Sequence, residues 1–543
     1  MIEAQPPAGE QSSPYLPAGP PDPLIFEAFE GINTATLRPG VDDKEAAWLD
    51  CFMPLGPGRN LRTMYDVGPA LFTPSDGDTI VFFDFFNIST TPYMLAITTG
   101  GEIYAVNTNT GVSSSIAPPG TITNPVRTGV GLSQYGSQYV QIVAQQTNGY
   151  WIWDGTTFYV PGGPLPPGTA GSSGLTTMPL AISGSTIENY LGRTWIGNNA
   201  TITFSAPGSL IDFSSAHGGG NFTSTDSFLR VQFVGLKQTN GFLYLIADSS
   251  VNYISGVQTS GSPPVTTFTN QNADPEVGSP WPATIDVFNR NILFANAFGA
   301  QVSYGGAVTK ISEKLDGVYN TVPNFGNITP SAGKAIIFGK KCWILLLPII
   351  DPISGQQVNK MFLWNGKIWW AAMQSVPLIY IQHQEINSVL TTYGTNGLSV
   401  YPLFAQPSTA LTKIAQTKLW DKPGGYQFTK FVTRFWGIVK YYSGLSPTLN
   451  VAIDNETSSN TNAVTAAPSP AVWTMPSGAI STWTTVGGSI STWLAGGAGS
   501  YSVLAPEAVA GAGVLTGFTV TTNTADMAIV TMMIHDEVAG YRG

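Results

Sequence analysis

The sequence predicts an all-β protein: a six- or seven-bladed β-propeller with an appended β-sandwich-like C-terminal region. Three observations lead there. The first is a recurring turn. Gln238-Thr239-Asn240-Gly241 runs into the apolar stretch Phe242 to Ala247, Gln146-Thr147-Asn148-Gly149 runs into Tyr150 to Trp153, and Thr395-Asn396-Gly397 runs into Leu398 to Tyr401. Asn-Gly tolerates positive φ at both positions, which is what a two-residue hairpin turn demands. Asn148, Gly149, Asn240, Gly241, Asn396 and Gly397 are therefore the structural turn positions of the chain. The second observation is a period. Looser copies begin at Gly101, Gly192, Asn289 and Gly339, so the seven anchors lie 43 to 58 residues apart. Short strands repeating every ~40–50 residues mark propeller blades. The third is composition. Only 10% of residues are charged, with 60 Gly, 40 Pro and 11% aromatics, which suits many turns and packed strands rather than helices.

A chain of 543 residues is too long for one ordinary core. Residues 1–24 read as a Pro/Gly/Ser-rich flexible arm. Residues 25–75 read as an N-terminal docking segment. Within it Asp42 or Asp43 would N-cap a short helix over 42–52, with acidic residues in its first turn. The propeller occupies 76–414, with blades near 80–106, 126–160, 180–206, 229–255, 283–312 and 332–370. A seventh unit at 378–403 is either a blade or the piece that closes the ring. Residues 161–175 and 257–282 read as long loops, the kind a compact domain keeps for function or interfaces; they are expected to order only against a neighbour.

The pattern changes near residue 415, and 415–543 reads as the sandwich, its first partner strand drawn from elsewhere. Phe428 to Val439 is a long strand and Thr448 to Ile453 its return. Residues 455–471 form a polar loop. Trp473, Trp483 and Trp493 follow at intervals of ten, with tryptophans expected to pair across a hairpin. The last strands fall near 514–521 and 527–534.

Charge and chemistry narrow the function. The net charge is −10 and the pI about 4.8, with 23 basic residues spread along the chain. A sequence-independent grip on nucleic acid needs clustered Lys and Arg, and Lys340-Lys341 is the nearest approach to a cluster. Cys51 and Cys342 are too few for a disulfide framework. Met1 to Pro23 has no apolar core, so no secretory signal is expected there. The apolar run Ala335 to Ile350 is broken by Lys340 and Lys341 and is shorter than the ~20 residues of a spanning helix. It reads as two buried strands, and no membrane span is expected.

Asp76, Asp78, Asp154, Asp248 and Asp316 sit in turn-like sequence, where Asp serves the backbone. They are not the paired carboxylates of a glycosidase. His217, His383 and His535 have no partners at metal-ligand spacing. Asp76-Gly77-Asp78 lacks the terminal acid of a calcium loop, and the glycines at 218–220 lack the Lys of a phosphate loop. No catalytic, cofactor or metal site is expected.

Several phrases, in order, resemble the tail hub, or nozzle, proteins of short-tailed bacteriophages. They are Gly31-Ile32-Asn33-Thr34, Asp50 to Pro57 with Asn60 to Thr63, Leu243 to Val251, Val302 to Gly306 with Lys310 to Val318, and Trp364 to Trp370. The resemblance covers roughly 30–405. It departs at Ala247, where glycine would be expected, and leaves the Trp-rich C-terminal part unmatched. It implies a non-enzymatic virion protein, made in the host cytoplasm and built into the tail as a homo-oligomer of six. The ring would sit below a portal and adaptor protein and carry tail fibre or spike proteins. Genomic DNA would be retained and then released through its lumen without tight binding. The residues alone leave an alternative open: a monomeric propeller module that recognises a cell-surface glycan or protein.

Overall fold

The computed structural model describes residues 23–26, 29–55, 60–169, 174–223, 232–319, 321, 330–421 and 425–441, then 447–453, 456–463, 483–484, 490–491, 501–503, 507–508 and 512–541. The described chain is mostly β. Six four-stranded antiparallel blades span 80–117, 130–159, 186–223, 233–274, 286–310 and 331–372. This is a six-bladed propeller arrangement, closed by a three-stranded sheet of Tyr380–Ile386, Val389–Thr395 and Val400–Pro402. The closing sheet borrows its outer edge from the chain ahead of blade 1. Leu71 N–H donates to the Val400 carbonyl at 2.8 Å, and Val400 N–H donates to Phe72 at 2.9 Å.

The first strands line the ring's axis, and from blade 2 round through the closing sheet to blade 1 each packs on the first strand of the next, while that of blade 1 meets the second strand of blade 2. Apolar side chains fill the wedges between units. Val143, Tyr150 and Ile152 of blade 2 meet Ile187 and Ile196 of blade 3. Tyr244 and Ile246 of blade 4 meet Ile292 and Phe294 of blade 5. The apolar run at 335–350 forms the strands Ser331–Ile337 and Lys340–Ile350 of blade 6.

The sequence anchors prove to belong to two different turns. Gly192, Gly241, Asn289 and Gly339 lie between the first and second strands of their blades. Gly101, Gly149 and Gly397 lie between second and third strands, at the opposite end of the blade. Mixing the two ends is why the apparent spacing drifted. Taken alone, the first-to-second turns are regular. Leu191-Gly192, Asn240-Gly241, Asn289-Arg290, Phe338-Gly339 and Asn387-Ser388 each carry two consecutive positive φ angles, and each pair begins 49 residues after the last.

Residues 257–282, expected as a loop, are mainly strand. Val251–Ser260 and Val265–Asp274 form a long antiparallel hairpin at the outer edge of blade 4. The hairpin needs no neighbouring molecule to hold it, because it docks on blade 3. Phe268 packs edge-on against Trp195 and Phe204, at centroid distances of 5.7 and 5.8 Å. The buried Arg193 guanidinium donates to the Ser205 and Gly218 carbonyls at 2.7 and 2.8 Å, to Thr266 Oγ1 at 3.1 Å, and to Thr259 Oγ1. Alternating polar and apolar residues sit on the two faces of this hairpin, which is why its composition imitates a loop.

The appended region consists of two sheets with a shared apolar core. One sheet continues blade 6. Its outer strand Trp369–Ala372 is followed in space by Ala46–Asp50, Lys413–Trp420, Thr516–Thr522, Pro447–Ile453 and Glu456–Ala463. The other is built on the long pair Phe428–Tyr441 and Met527–Tyr541, with Leu24–Phe26, Phe52–Pro54 and Leu61–Thr63 at its edge. Four strands of the N-terminal 63 residues are therefore woven into sheets with the C-terminal strands.

The helix expected at 42–52 is instead the strand Ala46–Asp50. Asp42 Oδ1 does accept a nearby N–H, from Lys44 at 3.0 Å, but in a turn. A helix of that length is marginal on its own. The strand gains a ladder on both sides and buries Trp48. Trp483 pairs with Ser491 across its short hairpin, so it is not opposite another tryptophan. The arm at 1–22, Trp473 and Trp493 lie outside the described residues.

Candidate functional site: the propeller channel

The sequence-derived turn residues do not form one site. They are spread round the ring, where they tie one unit to the next. Asn148 has φ 59°, and its Oδ1 accepts from Ala181 N–H at 3.0 Å. Gly149 has ordinary φ but no room for a side chain, since a Cβ there would lie 2.3 Å from the Ala144 carbonyl. Asn240 and Gly241 have φ of 51° and 80°. Asn240 Nδ2 donates to the Arg290 carbonyl of blade 5 at 2.7 Å, and Tyr190 of blade 3 donates to the Gly241 carbonyl at 2.7 Å. Asn396 Oδ1 accepts from Leu398 and Ser399 N–H, both at 3.0 Å, and Gly397 has φ 94°. The Gly397 carbonyl accepts from Ile80 N–H at 2.7 Å, joining the closing sheet to blade 1.

The chemistry gathers elsewhere, in a cavity of about 420 Å³ on the ring axis. It is lined by Asp84, Glu188, Lys237, Asp286, Lys334, His383 and Glu385, with Arg127 and Tyr380. Each charge comes from a different unit except for His383 and Glu385 of the closing sheet and Arg127 just ahead of blade 2. Three of the carboxylates share a local reason. A first strand has a ladder partner on one side only, so its axis-facing N–H groups need another acceptor. Carboxylates supply it. Asp84 Oδ1 accepts from Phe85 N–H at 2.8 Å, Glu188 Oε1 from Asn189 N–H at 3.2 Å, and Asp286 Oδ1 from Val287 N–H at 2.7 Å.

Lys334 Nζ bridges blades by pairing with Asp286 Oδ1 at 3.0 Å and donating to the Val287 carbonyl at 2.9 Å. Arg127 donates to the Val81 and Ile379 carbonyls at 2.8 and 2.7 Å and lies 4.8 Å from the Tyr380 ring centre. It joins blade 1 to the closing sheet. The Lys237 ammonium makes no close hydrogen bond or ion pair among the described residues; it balances Glu188, Asp286 and Asp84 from a distance. Asp286 Oδ2 and His383 Nδ1 face each other at 3.7 Å, both buried and both without a hydrogen bond.

Burial and neighbouring charge set the protonation. Burial pushes the Asp84 carboxyl up to about 6 and holds Glu188 above its usual range, against the pull of Lys237. Burial alone would lower Lys237, but the three carboxylates outweigh it and hold the ammonium charged. For Asp286, burial is outweighed by Lys334, His383 and Lys237, so it stays ionised. Burial, helped by Lys334, Lys237 and Lys341, pushes His383 down to about 4, so at neutral pH the imidazole is uncharged. The arrangement is a balanced set of opposite charges that ties the units together round a polar cavity of ligand size.

A signal for this site was present in the sequence. Glu188, Lys237, Asp286, Lys334 and His383 follow one another at 49, 49, 48 and 49 residues. Each lies in a short first strand among other polar residues or at its edge, as in Thr186–Tyr190, Phe233–Thr239 and Tyr380–Ile386, and by itself reads as a strand end. Only their shared register within the repeat brings them together. His217, by contrast, ends the 3-10 turn Ser215–His217 rather than lying in a loop, with Nδ1 2.7 Å from Asp212 Oδ2, and does not line the channel. Asp76 and Asp154 accept backbone N–H groups in their own turns. Among the described residues no three His, Cys, Asp or Glu side chains come together as a metal site.

No protein-family model matches the chain, and no curated protein matches it. Solved structures resemble it in shape alone. BBS1N, from a complex with ARL6DN, aligns over 63% of this chain and 96% of its own at 10% identity and a TM-score of 0.36. The N-terminal domain of Nup159 aligns over 66% and 98% at 10% identity and 0.32. A chain from an S. cerevisiae complex of Dbp5 with Nup159, Gle1, IP6 and ADP aligns over 64% and 96% at 9% identity and 0.32. The propeller assignment stands on the sheet topology. No helix of the described residues is long and apolar enough to cross a membrane.

Proposed function

We propose that this chain is a structural subunit of a short phage tail, forming its hub or nozzle as a ring of six below a portal and adaptor. One observation carries the reading beyond the order of the phrases in the sequence. Three phrases of the resemblance, more than 280 residues apart at the extremes, meet at one junction. Ile32 N–H donates to the Trp369 carbonyl at 2.8 Å, and Thr34 N–H donates to the Lys314 carbonyl at 2.7 Å. Gly31 and Gly317 are required there: a Cβ at Gly31 would lie 2.7 Å from the Trp369 carbonyl, and one at Gly317 only 1.7 Å from that of Thr34. Three of the phrases thus meet at one joint, where the N-terminal segment docks on blade 6 and on the segment that follows blade 5, which supports reading them as parts of one arrangement.

The architecture supports a load-bearing role. The sheet of blade 6 runs on into the appended sheets, which gives a continuous body rather than two beads on a linker. In the channel Lys334 pairs with Asp286 and Lys237 balances three carboxylates from a distance, as suits a ring lock more than a reaction centre. Native mass spectrometry and negative-stain imaging of the full chain test the proposal. A closed ring of six supports it. A strict monomer at tens of micromolar that captures a cell-surface glycan overturns it in favour of a recognition module.

A further inference from the structure

The joint between blade 6 and the N-terminal strand holds a second cluster of ionisable groups, remote from the channel. Lys360, on the strand Gln357–Trp364, places Nζ 2.5 Å from Asp50 Oδ2 and 3.1 Å from Asp351 Oδ1. The Lys360 and Asp50 side chains are 1% and 3% exposed, and that of Asp351 is 12% exposed. Trp48 covers the ammonium, 5.3 Å from its ring centre. Cys51, held at φ 57° and fully buried, directs its thiol to the other oxygen of Asp50 at 3.4 Å. Asp351 is anchored through its own second oxygen, which accepts from Ser354 Oγ at 2.9 Å and Ser354 N–H at 3.3 Å.

One cation and two carboxylates leave a net negative charge in a dry site, which is costly. Two carboxyls that share such a site do not both ionise freely. Burial holds the Asp50 carboxyl above its usual range, against the pull of Lys360, which makes it the carboxyl to carry the extra proton in the reactive form. The neutral set is then an ammonium, one carboxylate and one carboxylic acid in contact. These are the reactants of an amide.

We propose that Lys360 Nζ and Asp50 Cγ form an intramolecular amide bond that staples the N-terminal strand to blade 6. The balance is complete within the three side chains. The Asp351 carboxylate takes a proton from the Lys360 ammonium. The freed amine attacks Cγ of the protonated Asp50, and the N–C bond forms. The contact of Nζ with Asp50 Oδ2 at 2.5 Å holds the two reacting groups together, as a proximity-driven attack requires. The Cys51 thiol faces the oxygen that gains charge. Asp351 passes its proton to the departing hydroxyl and takes one from the nitrogen. The C–O bond breaks, one water leaves, and Asp351 ends protonated. No oxidant, reductant or cofactor is consumed. Asp50 is the acyl group and Asp351 the proton carrier because Asp50 is nearer and more buried, while Asp351 is held by Ser354.

The test is the mass of the full chain, purified and then denatured, with a proteolytic digest. The expected result is a wild-type chain lighter than its sequence mass by one water, and a branched peptide joining Asp50 to Lys360. Lys360→Arg should restore the full mass, and Asp351→Asn should leave the chain uncrosslinked. A folded wild-type chain at full sequence mass overturns the proposal, as does a water loss or branch located elsewhere, including at Asp351. The wild-type measurement decides the matter even where a variant fails to fold.

Discussion

Lys237 sets the charge balance of the channel, and Asp84 and His383 give that balance a pH dependence that can be worked out with its sign. Asp84 is pushed up to about 6 from 3.8. Its folded form prefers the proton, so its contribution is fully present below the unfolded value and is lost as pH rises through about 6. His383 is pushed down to about 4 from 6.5. Its folded form refuses the proton, so stability is unaffected above 6.5 and lost as pH falls toward 4. The two slopes oppose each other between these limits. Asp84→Asn should therefore raise the urea midpoint at pH 7 to 8 and leave it little changed at pH 4. His383→Gln should do the reverse, raising it near pH 4 to 5 only. The same pH profile in both variants would dissociate them from this channel. At the turns, Gly241→Val places a β-branched residue at φ 80° and should cost more than about 1 kcal/mol. The matching change at Gly306, which has ordinary φ and open space around it, is the control and should cost less. Leu191, exposed at φ 49°, is the converse case, and Leu191→Asn should gain up to about 1 kcal/mol. Chemical denaturation of the three turn variants reads both signs.

At the scale of elements, the hairpin 251–274 depends on one side chain from another blade. Arg193→Ala leaves the buried Ser205 carbonyl without its donor and the Gly218 carbonyl with Thr266 Oγ1 alone, at about 2 kcal/mol or more, and uncouples the hairpin from blade 3. Limited proteolysis near Gly261 should then accelerate well ahead of cutting elsewhere, and Arg193→Lys should rescue it only in part, because the planar fork reaches four acceptors and an ammonium does not. Equal cutting rates in wild type and variant would show that Phe268 alone holds the hairpin. The same element shows where reading stopped. Strands with apolar runs, such as 242–247 and 340–350, were legible because burial on both faces writes itself into consecutive residues. The outer hairpin is polar on its open face, and Gly256 and Gly261 at positive φ imitate loop punctuation. The strand Ala46–Asp50 was hidden for the opposite reason: its ladder partners lie at 371 and 414–417, and nothing within 42–52 announces them. The channel was hidden by arithmetic, since only one of the five regular turns, at 240–241, is spelled Asn-Gly, and the 49-residue period emerges once both ends of a blade are counted separately.

At the scale of the whole molecule, the question is where a nucleic acid could run if six copies close a ring. It does not run through the propeller axis. That cavity is about 420 Å³ and is crossed by the Lys334–Asp286 pair and by Arg127 beneath Tyr380. A duplex, whose major groove alone is about 12 Å wide, needs a lumen between copies. The walls of such a lumen come from the outer surfaces of a chain with 33 acidic and 23 basic residues and a net charge of −10. Several of the basic side chains are already engaged. Lys360 and Lys334 are paired with buried carboxylates, Arg193 and Arg127 hold backbone carbonyls, and Lys413 and Lys430 donate to carbonyls in the appended sheets. They are not available to displace counterions from phosphate. Only exposed cations count for that term, and screening confines each to about 8 Å at physiological salt. The assembled protein should therefore show no measurable duplex DNA binding even at roughly 50 mM salt, where a basic surface binds strongly. An electrophoretic mobility shift at micromolar protein, weakening steeply as salt is raised, would mean that the remaining lysines and arginines line one surface, and the passive conduit would have to be given up.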